Sequence, residues 1–181
     1  MKKILTSAVL AATLVTSASA EFLTFEFDAM PYMAGSKTTT TGQSFTLGFK
    51  VNDKLRAGIF QENGAITLSD KGASKTGSYT ATALNLEYSA YAKEVDAIIG
   101  MNIGSLNNQA IALPAGSASI AAGSNLLTDL YAKVSYNASE HAFLNLKLGY
   151  RMVAITDATV ATTAFDNQNA PFIKVGVGVK F

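Results

Sequence analysis

The last ten residues, Phe172-Ile173-Lys174-Val175-Gly176-Val177-Gly178-Val179-Lys180-Phe181, decide the fold. Ile173, Val175, Val177, Val179 and Phe181 alternate without a break with Lys174, Gly176, Gly178 and Lys180. A period of two sends successive side chains to opposite faces of an extended strand, so one face here is entirely apolar and the other carries cations and glycine.

The same alternation recurs seven more times upstream. Leu23, Phe25, Phe27 and Ala29 oppose Thr24, Glu26 and Asp28. Phe45, Leu47, Phe49 and Val51 oppose Ser44, Thr46, Gly48 and Lys50, and Leu55, Ala57 and Ile59 oppose Arg56 and Gly58. Thr82, Leu84, Leu86 and Tyr88 oppose Ala83, Asn85 and Glu87; Val95, Ala97, Ile99, Met101 and Ile103 oppose Asp96, Gly100, Asn102 and Gly104. Leu126, Thr128, Leu130, Ala132, Val134 and Tyr136 oppose Asp129, Lys133 and Ser135, and Ala142, Leu144, Leu146, Leu148, Tyr150 and Met152 oppose Asn145, Lys147, Gly149 and Arg151. Short connections near 52–54, 89–94 and 137–140 take turns with long ones near 30–43, 61–77, 105–124 and 153–169. Such an asymmetry between two rims predicts an all-β, eight-stranded antiparallel up-and-down transmembrane barrel.

Composition agrees. Charged residues make up 15% and hydrophobic ones 49% of the 181 residues, and the formal net charge is +1, which argues against a nucleic-acid partner. The chain has no cysteine. Met1-Lys2-Lys3, the apolar run from Ile4 to Val15 and Ser17-Ala18-Ser19-Ala20 form the layout of a secretory signal peptide, so residues 1–20 are expected to be cleaved and 21–181 to form the barrel. No later segment has the unbroken apolar length of a membrane helix, so membrane entry requires strands.

Alternation does not by itself say which face is inside. A soluble eight-stranded barrel of the lipocalin kind turns its apolar face inward. Here every charge within the strands lies on the face rich in glycine and small residues, which suits a crowded lumen, and a charge facing hydrocarbon costs about 2–4 kcal/mol. The apolar face is therefore expected to meet lipid.

The terminal strand, with its aromatic last residue Phe181, resembles that of Gram-negative outer-membrane proteins. Together with the loop asymmetry and the signal sequence, the chain resembles the eight-stranded OmpA-like, OmpX-like and opacity-type barrels over residues 21–181. The resemblance implies location in the bacterial outer membrane, contact with its lipids and lipopolysaccharide, short turns at the periplasm, and recognition of Phe181 by the barrel-assembly machinery. The chain's end at Phe181 leaves no peptidoglycan-binding domain in this expectation.

The inward charges, Glu26, Asp28, Lys50, Arg56, Glu87, Asp96, Asp129, Lys133, Lys147, Arg151, Lys174 and Lys180, are expected to form a lumen network. An eight-stranded barrel is only just wide enough for its side chains, so its charges must be paired or hydrated. Height above the short-turn rim suggests pairs Asp28 with Lys174, Asp129 with Lys147 with Glu26 nearby, Asp96 with Lys133, and Glu87 with Arg56. These plug the lumen or line a narrow ion path. Chemistry is poorly served: the sole histidine, His141, falls at a short turn, and no cofactor or metal set is legible. Phe22, Tyr88, Tyr136 and Phe181 fall near the short-turn ends of their strands, as an interfacial girdle does. Loop segments 38–41, 110–122 and 158–164, rich in small and hydroxyl-bearing residues, are expected to form the exposed surface. The functional expectation is a structural or surface-interaction protein; a narrow channel and an adhesin acting on an extracellular ligand are the alternatives, with lipid modification a third.

Overall fold

The computed structural model describes residues 22–34, 37–92, 94–114, 119–154 and 169–181. The segment read as a signal peptide, loop segment 158–164 and most of the connection 153–169 lie outside the described residues.

Eight long strands close into one antiparallel barrel: β1 (Leu23–Ala34), β2 (Thr38–Lys50), β3 (Leu55–Asp70), β4 (Ala73–Tyr91), β5 (Val95–Asn108), β8 (Gly123–Asn137), β9 (Ala142–Ala154) and β10 (Ala170–Lys180). Between β5 and β8 lies a small separate hairpin of β6 (Ile111–Ala112) and β7 (Ser119–Ile120). Each long strand pairs with its neighbour in sequence, and β1 closes on β10 through Phe25↔Val179 and Phe27↔Val177. Leu23 and Phe181 exchange backbone hydrogen bonds of 3.2 and 2.9 Å at the seam. Closure gives every long strand a paired neighbour on both sides through the belt, which hydrocarbon requires.

The phase of every strand matches the sequence alternation. Ile59, Leu84, Ile99, Leu130, Leu146 and Val175 point outward, while Glu26, Asp28, Asn85, Asp129, Lys147 and Lys174 are buried inside. The short turns are held by side chains: Asn52 Oδ1 accepts from the amides of Lys54 and Leu55, both at 2.9 Å, and Ser139 Oγ accepts from Ala142 N at 3.0 Å. Phe22, Phe49, Tyr88, Tyr91 and Tyr136 are exposed around this rim, and Phe22 meets Phe49 edge to face at 6.4 Å.

The opposite rim differs from the expected long loops. Residues 61–77 are strand: β3 and β4 run on for 16 and 19 residues and meet at a two-residue turn, Lys71-Gly72, both at positive φ. A membrane crossing takes about 9–11 residues, so this hairpin stands well clear of the apolar belt. Segment 38–41 likewise belongs to β2, and 110–122 contains the β6–β7 hairpin.

The reason is an inversion of polarity along the barrel. Beyond the belt, Gln61, Asn63 and Thr67 of β3 and Thr76, Thr80 and Thr82 of β4 occupy the outward positions, with Thr67 and Thr76 hydroxyls 2.8 Å apart. Above Glu62 many of the inward positions are apolar. Met30, Met33, Ile66, Leu68, Leu127 and Val153 pack with Ile111 and Ile120 of the small hairpin into a buried core. The same alternating strand thus serves lipid at one level and water at the next, as the faces exchange roles.

Candidate functional site: the buried lumen network

Below that apolar core the lumen is crossed by ion pairs. Arg151 on β9 donates to Glu62 on β3, the diametrically opposite strand in the barrel order, with Nη1 to Oε1 at 2.6 Å. It also holds its neighbour's Asp129, at 2.8 Å from Nε and 2.9 Å from Nη2. Lys174 on β10 bonds the other oxygen of Glu62, and Tyr79 OH donates to Glu62 Oε1 at 2.6 Å. Two carboxylates and two cations balance in this upper group. Two rings pack against it: Lys174 Nζ stands 4.5 Å from the Phe60 centroid and 5.3 Å from that of Phe172.

A lower group lies nearer the short turns. Lys133 on β8 bridges Glu26 on β1 and Glu87 on β4, both at 2.6 Å, and Lys147 on β9 bridges Glu26 at 2.7 Å and Asp28 at 2.8 Å. All of these side chains are at most 5% exposed. Neutral groups join the two tiers. Asn102 donates to Asp129 at 3.2 Å, Asn85 donates to Asn102 at 2.8 Å and to Tyr131 OH at 2.6 Å, and Tyr131 donates to Glu87 at 2.8 Å. One hydrogen-bonded chain therefore runs from Tyr79 through both tiers to Asp28.

Glycines make room for it. Tyr131 lies flat across Gly100, where an added Cβ would stand 2.6 Å from its hydroxyl, and Phe143 lies across Gly178. At Gly176 an added Cβ would run into Asp28 Oδ1, so the glycine leaves that carboxylate its place.

The expected pairings differ from these. Asp28 does not meet Lys174: it faces Gly176 in register, which puts Lys174 two residues further along the seam, and Lys147 takes Asp28 instead. Asp129 takes Arg151, its register partner, rather than Lys147. Lys147 does lie against Glu26. Asp96 faces Ser135 in register and its cation is Lys180 at 3.7 Å, not Lys133. Arg56 and Glu87 are register partners, yet the Glu87 carboxylate turns inward to Lys133 and Tyr131. Long cationic side chains also cross two to four strands of a narrow lumen, so adjacency on the wall does not by itself choose the partner.

Lys50, Arg56, Asp96 and Lys180 lie apart from the chain of bonds. They line a cavity of about 250 Å³ at the short-turn rim, where Lys50 pairs with Asp53 at 3.0 Å and Lys180 also donates to Asn137 at 2.6 Å. His141 sits exposed in the turn before β9. Glu62, Tyr79 and Tyr131 are members of the network that sequence reasoning missed. Glu62 is hidden because the apolar alternation stops at Ile59, where outward residues turn polar; the inward run Phe60-x-Glu62-x-Gly64-x-Ile66-x-Leu68 is the signal that could have found it.

A closed eight-stranded sheet, an oily belt, an ionic lumen and short turns on one rim are now all in view. The fold is that of the eight-stranded outer-membrane barrels. The chain is similar to Neisserial surface protein A, with a TM-score of 0.64 and 16% identity over 91% of this chain and 100% of that one. It is similar to a major outer membrane protein from Thermus thermophilus, with a TM-score of 0.58 and 12% identity over 91% and 100%. It is also similar to the N-terminal β-barrel domain of OprF from Pseudomonas aeruginosa, with a TM-score of 0.53 and 13% identity over 90% and 100%. At these identities the likeness is one of fold. No protein-family model matches the sequence, and no curated protein matches it.

Proposed function

We propose that this chain is a closed, non-enzymatic outer-membrane barrel that anchors a rigid β-structured surface outside the lipid. The observation that carries the reading is the pair of obstructions in series. The Arg151–Glu62 and Lys133–Glu26 bridges span the lumen, and the Ile111/Ile120 hairpin with Met30, Met33, Leu68 and Leu127 fills the mouth above them. Opening a path would require separating buried charges, at several kcal/mol each, and undocking a packed core.

The strands that outrun the belt support the surface role. The β3–β4 hairpin continues β-structure beyond the lipid, with a nearly uncharged face of hydroxyl and amide side chains on β2 to β5, suited to contact with a neutral polar partner. On this reading the short-turn rim faces the periplasm, lipopolysaccharide surrounds the belt on its outer half, and Phe181 at the seam serves the assembly machinery. Planar-bilayer recording of the purified barrel tests the closure: rare or no conductance is expected, and a large, steady, reproducible conductance overturns it in favour of a channel.

A further inference from the structure

The two tiers of the network are unequal in charge. The upper one is balanced, Glu62 and Asp129 against Arg151 and Lys174. The lower one sets three carboxylates, Glu26, Asp28 and Glu87, against two ammonium groups, Lys133 and Lys147. Among the groups bonded to one another in this tier one negative charge is in excess, and its three carboxylates are all at most 4% exposed. Burying an uncompensated charge is far more costly than leaving a hydrogen bond unmade.

Geometry places the excess. Both oxygens of Glu26 and of Glu87 accept from a lysine or from Tyr131. Asp28 Oδ2 accepts from Lys147, but Asp28 Oδ1 has no donor among the described residues. The Asn145 amide near it, and Ser135 Oγ on the strand after Asn145, are likewise buried and unpartnered. Asp28, Gly176, Asn145 and Ser135 are successive register partners around β1, β10, β9 and β8. The Asp28 and Asn145 oxygens converge over Gly176, with Asn145 Oδ1 at 3.0 Å from where a Cβ on Gly176 would stand. Turning the Asn145 amide would give Asp28 a donor and still leave the charge uncompensated. A neutral donor of any kind has the same defect.

We propose that Asp28 Oδ1 and Asn145 Oδ1 together bind one small monovalent cation of about the size of sodium. Asp28 then bridges two positive groups, the Lys147 ammonium on Oδ2 and the bound ion on Oδ1, and the lower tier becomes neutral. Gly176 is the position that keeps the site open. The site rests on local geometry and stands whether or not the lumen conducts.

The experiment is thermal unfolding of the purified barrel in detergent, followed by circular dichroism, in sodium chloride and in tetramethylammonium chloride at equal ionic strength. Screening is the same in both salts, so a difference reports a bound ion. The midpoint is expected to be higher in sodium by about 3 °C, saturating with concentration. Asp28→Asn is expected to abolish the difference, and Asn145→Ala to shift its half-saturation to higher sodium. Should Asp28→Asn not fold, the wild-type comparison and Asn145→Ala decide. Equal midpoints in the two salts overturn the site, as does a difference that survives Asp28→Asn. Stabilisation by acid with no dependence on the cation overturns it too, assigning the missing charge to a proton.

Discussion

Arg151 and Glu62 meet at 2.6 Å from strands on opposite sides of the barrel, so a single buried guanidinium ties β9 to β3 through the lumen rather than through the wall. The wall is already held by backbone ladders. This contact instead sets what lies inside, because the same guanidinium also fixes Asp129 and leaves Lys174 to the other oxygen of Glu62.

Replacing Arg151 by methionine therefore takes the cation from Asp129 and leaves Glu62 to Lys174 and Tyr79. Stability is expected to fall by about 3–5 kcal/mol, the usual cost of removing one partner from a buried ion pair. Urea unfolding in lipid vesicles checks the size. Glu62→Gln leaves Arg151 its Asp129 partner but takes from buried Lys174 the carboxylate it bonds, and is expected to cost a similar amount.

Tyr131 owes its place to Gly100. With a side chain at 100, the ring must leave its seat, and its hydrogen bonds with Glu87 and Asn85 go with it. Gly100→Val is expected to destabilise the barrel by about 1–3 kcal/mol through overpacking. Gly72→Ala, at an open turn position with φ of 81°, is expected to act through backbone strain alone and to leave the lumen unchanged. Near-ultraviolet tyrosine circular dichroism separates the two.

Ile111 and Ile120 seat the small hairpin in the mouth, each 1% exposed. Changing both to serine is expected to release the hairpin while the barrel stays folded. Protease added outside sealed vesicles would then cut within 105–124 several times faster than in the parent chain. Unchanged cleavage would show that the two isoleucines do not hold it.

Outward positions follow a depth rule. Leu84→Lys, within the belt, is expected to cost about 2–4 kcal/mol, and Thr76→Lys, on the same strand beyond it, close to nothing. Both variants keep the lumen intact, so unfolding in vesicles reads the lipid face alone.

The strand phases and the choice of lipid-facing side were legible in the sequence because hydrocarbon tolerates no charge, which makes alternation such as Val175-Gly176-Val177 unambiguous. The reach of the strands was not. Past the belt the outward residues become polar and many of the inward ones apolar, so Gln61 to Gly77 carries an inverted pattern that looks like a loop. Glu62 was lost with it. The identities of the inward charges were plain, but their partners were set by side chains crossing the lumen, as Lys133 does to reach Glu26, and by the seam register that sets Asp28 against Gly176.

Orientation is the central claim, and the chain contains no tryptophan, so single tryptophans can report on it cleanly. The decisive measurement is quenching of such tryptophans by brominated phospholipid in vesicles, at Leu130 on the outward face, at Phe60 on the inward face and at Thr76 beyond the belt. Strong quenching at 130 alone is the expected result. Strong quenching at 60 with little at 130 would mean that the charged face, not the apolar one, borders lipid, and would contradict the account.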